Sequence, residues 1–165
     1  MKKLILAGIF VLALSSIVFA IDSDIDKHLS CTYCGMDRAK FAHSRMLIEY
    51  DDGTAFGACS LHCAAVDFAT NIDKAPRKMS VGDYYSKKLI DAEKAFWVLG
   101  GNKPGVMTVN AKWAFEDKRD AEKFIKESGG MPATFDDAIK AAYEDMYKDT
   151  KQIRERRKMK RSLKP

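Results

Sequence analysis

Four cysteines stand in two close pairs, Cys31-Thr32-Tyr33-Cys34-Gly35 and Cys59-Ser60-Leu61-His62-Cys63. Three chemistries are open to them. In an exported chain they can form two disulfides, and four cysteines allow three connectivities. A thiol–disulfide oxidoreductase could use Cys31 and Cys34, but such sites place the second cysteine inside a helix, where Gly35 is a poor choice. A metal knuckle makes better use of the sequence, because Gly35 lets the backbone turn so that amides point at the thiolates. Cys59 and Cys63, four apart at the start of an expected helix, share one face with Cβ atoms about 5–6 Å apart. The helix N-terminus favours their thiolate forms. Knuckle, hairpin and helix start together make a treble-clef arrangement, in which both pairs converge on one ion.

Softness narrows the ion. Four thiolates suit Zn(II) in a closed tetrahedral site, or Cu(I). Met36, two residues beyond Cys34, and Met107, after Pro104-Gly105-Val106, tilt the set toward copper, since thioether is a good Cu(I) ligand and a poor zinc ligand. Methionine also fills irregular gaps in cores, so both residues have a packing alternative. His62 is a further candidate ligand that could equally face solvent; His28 and His43 are weaker candidates. No phosphate loop, His-Glu-x-x-His motif or nucleophile–base set points to another catalytic chemistry, so an enzyme is not expected.

The elements that must hold these residues are marked by local signals. Arg45–Tyr50 predicts a strand, Asp51-Asp52-Gly53 a turn, and Thr54–Ala58 the returning strand. Ser60 is placed to cap a helix carrying Leu61, Ala64, Ala65 and Phe68. Residues 22–30 read as loose and acidic, and Lys74–Ser86, with Pro76 and Gly82, as a polar connector. Ala95–Leu99 and Lys112–Phe115 are expected strands. Lys118–Ser128 is an expected helix stopped by Gly129-Gly130. Matching Ala55-Phe56 with Ala114-Phe115 suggests a degenerate ββα repeat. Thr134-Phe135-Asp136-Asp137 looks like a capping box opening a terminal helix with Ile139, Ala142, Tyr143, Met146 and Tyr147 on its apolar face. The expected fold is α+β: two small ββα(β)-type units at about 31–73 and 83–135, the first a treble-clef-like Cys knuckle, followed by a C-terminal helix. Its basic end, 151–165, is expected to fray.

The 165 residues, 47% hydrophobic, suffice for a globular core and exclude a wholly disordered chain. Lys2 and Lys3 contribute +2 and residues 151–165 contribute +7, so the total of +5 leaves −4 for residues 21–150. The folded part is acidic, and nucleic acid is not an expected partner. The basic tail is either a solvated end or a contact, with anionic lipid as a peripheral membrane contact or with an acidic partner. Lys2-Lys3, the apolar stretch Leu4–Val18 and the small residues Val18 and Ala20 read as a signal peptide over 1–20, with export to the periplasm. The alternative is an uncleaved membrane anchor, since Leu4–Ile21 is eighteen residues. No cysteine follows the apolar run, so a lipid-modified N-terminus is not expected.

Cys31-x-x-Cys34-Gly35-Met36, Phe41-Ala42, the strand ending in Asp52-Gly53 and the Cys-bearing helix resemble the NosL family, accessory proteins of nitrous oxide reductase. The likeness continues through Asp83-Tyr84, Ile90-Asp91-Ala92-x-x-Ala95, Met107, Ala114-Phe115, Ala121-x-x-Phe124 and Gly129-Gly130, covering about residues 31–135. The spacing of Cys34, Cys59 and Cys63 also resembles the TRASH metal-sensing domain. Membership of the NosL family implies two small α/β units within 21–150, a periplasmic location and Cu(I) binding in copper delivery. Implied partners are a periplasmic protein or transporter that donates or receives copper. Cys31, Cys34, Cys59 and Cys63 would form the thiolate set, with Met36 or Met107 as an exchangeable thioether. The competing expectation is a module stapled by Zn(II) or disulfides.

Overall fold

The computed structural model describes residues 23–163; the expected signal peptide lies outside them. Elements run α1 (Ser23–Lys27), β1 (Met46–Tyr50), β2 (Ala55–Ala58), α2 (Leu61–Thr70), β3 (Pro76–Gly82), β4 (Leu89–Asp91), β5 (Phe96–Leu99), β6 (Lys112–Phe115), α3 (Lys118–Ser128), β7 (Met131–Ala133) and α4 (Phe135–Ser162). Met46, Ile48 and Tyr50 of β1 alternate inward, and the turn to β2 uses Gly53 at φ 80°. Among the described residues no helix is long and apolar enough to cross a membrane.

Two antiparallel sheets form, ordered β2-β1-β3-β4 and β6-β5-β7. The repeat is therefore ββαβ: in each unit a hairpin is followed by a helix and then by a third strand on the hairpin's first strand. The units join where Tyr84 N donates to Ala114 O at 2.9 Å and Glu116 N to the Asp83 carboxylate at 2.9 Å. Tyr84, Trp113, Phe115 and Phe124 stack behind that seam. The α4 capping box is present, with Thr134 and Asp137 bonding reciprocally. From there α4 packs across both units, Phe135 against Trp97 of the second and the helix body against α2 of the first.

Three expectations need correction. Lys74–Ser86 is no connector, because β3 lies between β1 and β4. Its exposed Pro76-Arg77-Lys78 half hid the strand, and only Ser80, Val81 and Gly82 turn inward. At Gly82 a Cβ would stand 2.0 Å from the Ala42 carbonyl oxygen, so this close crossing admits only glycine. The segment 23–30 is not loose. Asp24 is buried and pairs with Arg38 at 2.7 Å and Arg45 at 2.9 Å. Arg38 also donates to the carbonyls of Asp24, His28, Met46 and Ala58, satisfying a guanidinium with no solvent exposure. Finally, the basic end does not fray: α4 remains helical to Ser162.

Candidate metal centre

The arginine clamp holds the knuckle against the first sheet. Within the knuckle Cys31 N donates to Met36 O at 2.9 Å and Gly35 N to Cys31 O at 2.8 Å, closing a turn in which Gly35 takes φ 74°. Cys59 follows β2 and is fixed by Ser44 Oγ donating to its carbonyl at 2.9 Å. Ser60 is the N-cap of α2 by position, though its side chain caps nothing, and Cys63 lies in the first turn. Knuckle, hairpin and helix start are thus adjacent, as the cysteine spacing predicts.

All four thiols are free, and their sulfurs lie within 4.8 Å of one another. Cys34 Sγ is 3.3 Å from Cys59 Sγ, and Cys59 Sγ is 3.7 Å from Cys63 Sγ. Metal–thiolate bonds of about 2.3 Å in a tetrahedron place sulfurs ~3.8 Å apart, so the cluster fits a single ion with little movement. Cys31, Cys59 and Cys63 are buried, whereas Cys34 is half-exposed. Hydrogen bonds from Cys34, Cys59 and Cys63 hold the Cys31 thiol far below its usual range. Hydrogen bonds to Cys31 and Cys34, with burial added, push Cys59 and Cys63 well up. The later protons therefore resist leaving, and a bound cation would offset the accumulated negative charge.

Met36 and Met107 line a groove together with Cys34. Met107 sits at φ 60°, in the left-handed region that non-glycine residues rarely occupy. Its loop is held by α4: Val109 N donates to Asp149 Oδ1 at 3.0 Å and Asn110 Nδ2 to Asp145 Oδ2 at 3.1 Å. His62 points elsewhere. Its Nδ1 stands 3.5 Å from Asp149 Oδ2, and burial keeps its pKa below the usual value. His43 packs among Phe41, Tyr84 and Trp113. One contact near the cysteines is invisible in the knuckle's own sequence: Arg157 Nη2 donates to the Cys34 carbonyl at 3.1 Å. The only sequence signal for it is that Ile153, Met159 and Leu163 interrupt an otherwise polar tail.

Two ββαβ units, the first gathering four thiols at one point, define a small α+β protein with a candidate soft-metal centre. The chain belongs to the NosL family, whose model matches residues 22–143. Among solved structures it is similar to the copper chaperone NosL from Shewanella denitrificans, at 24% identity and a TM-score of 0.52, covering 68% of this chain and 90% of that one. At that identity the likeness establishes the fold. A comparison with curated proteins finds no match.

Proposed function

We propose that this protein binds Cu(I) in the periplasm and passes it by thiolate exchange to a copper-receiving protein or transporter. The observation that carries the reading is the convergence of Cys31, Cys34, Cys59 and Cys63 within 4.8 Å. Family membership and the copper chaperone among similar structures support copper as the cargo. The half-exposed Cys34 gives an incoming ligand a place to attack, and Met36 or Met107 beside it supplies a neutral thioether that leaves easily. The role is binding and delivery, without a catalytic residue. A thiol–disulfide oxidoreductase using Cys31 and Cys34 gains no support from a knuckle that merges with the second pair.

The closed sulfur set also suits Zn(II) as a permanent staple, and this second reading rests on the burial of three of the four thiols. Metal analysis with thiol counting on protein purified without air separates the two. Stoichiometric copper that a Cu(I) chelator removes slowly supports the carrier. Tightly held zinc, with no copper uptake under reducing conditions, would replace it with the staple.

A further inference from the structure

The end of α4 lies beyond the matched family region, and it closes over the knuckle. Only three residues in 151–163 are apolar, Ile153, Met159 and Leu163, and all three line one groove of about 680 Å³. The groove's other residues include Cys34, Met36 and Met107. Cys34 is the one thiol of the four that is not buried, so an ion entering or leaving the cluster passes it. Three thioethers therefore share the space outside that thiol, drawn from the knuckle, the second unit's loop and the terminal helix. The Arg157 hydrogen bond to the Cys34 carbonyl fastens the helix there.

We infer that Met159 is a thioether ligand of a Cu(I) transit site, one step outward from Cys34 and shared with Met36 and Met107. The inference rests on the copper-carrying reading and adds a ligand from the terminal helix. As the Cu–Sγ bond to Cys34 breaks, a Cu–Sδ bond forms; copper remains Cu(I), and the released thiolate keeps its charge or takes a proton from water. Thioethers are neutral, so copper held by them keeps its positive charge. Arg156, Arg157 and Lys160 line the same groove and disfavour a resting cation, which makes this a passage and not a store. Met159 is 58% exposed, within reach of a partner's own ligand.

The test compares the full-length protein with Met159→Leu, both loaded anaerobically with one equivalent of Cu(I). Leucine keeps the apolar contact and removes only the sulfur. Equilibrium affinity should stay the same, while transfer to the chelator bathocuproine disulfonate slows several-fold. Selenomethionine-labelled Met36→Leu/Met107→Leu protein, given excess Cu(I), should show copper scattering at the selenium edge, and adding Met159→Leu should abolish it. A Met159→Leu protein that transfers copper at the parent's rate, with no copper–selenium signal in the labelled protein, overturns the transit site while leaving the cysteine centre intact. Failure of the parent to bind Cu(I) at all would overturn both readings.

Discussion

The sulfur of Cys34 stands 3.3 Å from that of Cys59, closer than Cys59 stands to Cys63 of its own pair at 3.7 Å. The two pairs therefore form one sulfur cluster. Cys34→Ser and Cys63→Ser should each lower Cu(I) affinity on the order of tenfold or more, although they lie in different halves of the motif. Chelator competition measures this. Parent-like affinity in either variant would mean that the pairs do not share an ion.

Met107 needs a replacement that tolerates φ 60°. A β-branched residue is disfavoured there, so isoleucine would confound ligand loss with backbone strain. Met107→Leu should cost less than about 1.5 kcal/mol, read from the thermal midpoint, and, with a thioether of the exit route removed, should lose Cu(I) to a chelator more slowly than the parent. Met36→Leu should keep the fold and shift metal preference toward zinc. Unchanged copper loss from Met107→Leu would make this methionine a packing residue only.

Asp24 is 5% exposed and faces two guanidiniums with no solvent exposure. Asp24→Ala should destabilise the protein by about 3–5 kcal/mol, because two buried guanidiniums lose the carboxylate that they share. Denaturant unfolding checks this. A loss under 1 kcal/mol, within the range of about 0–1 for surface pairs, would show that water reaches the arginines.

Burial, and next to it Lys87, holds the His43 pKa below its usual 6.5. The unfolded chain then binds this proton at a higher pH than the folded one does. The contribution is fully present above about pH 6.5, is lost as pH falls below that value and levels off once the lower folded pKa is passed. His43→Gln should therefore flatten the decline of the thermal midpoint on acidification, and His28 and His62, shifted the same way, should account for what remains. An identical pH profile in His43→Gln would assign the decline to other groups.

A contact with anionic lipid or an acidic partner, the alternative to a solvated end, would use the exposed basic face of α4. Reversing Lys151, Arg154, Lys158 and Arg161 to glutamate leaves the groove residues in place, and should abolish binding to anionic vesicles. Each cation contributes about 1 kcal/mol near such a surface. Binding of the parent should weaken with salt. Parent vesicle binding that ignores both salt and these changes would exclude an electrostatic contact.

Much of the fold was legible because its causes are local. Alternation in Met46–Tyr50, the Asp52-Gly53 turn, the Thr134–Asp137 capping box and the glycines after Ser128 each act within a few residues, and each element appears where those signals placed it. The repeat was legible as ββα, with the third strand only as an option in ββα(β). Its third strands are short or half-exposed: β3 begins with Pro76-Arg77-Lys78, and β7 is only Met131-Pro132-Ala133. Neither carries enough alternation to read as a strand, and both owe their form to pairing with β1 and β5.

By itself the sequence determined the donor chemistry: two cysteine pairs, the glycine that shapes the knuckle, and a helix start that carries the second pair, whose expected preference for thiolates is overridden at Cys59 and Cys63 by hydrogen bonds to Cys31 and Cys34 and by burial. Only tertiary structure decided that the pairs share one point, that His62 turns toward Asp149, and that Arg157 reaches Cys34 across 123 positions. It also decided that Asp24, in an acidic stretch, is buried by Arg38 and Arg45. These outcomes depend on contacts between residues far apart in the chain. Spacing and periodicity record only what neighbours impose, whereas burial and charge pairing are set by whichever distant segments the fold brings together.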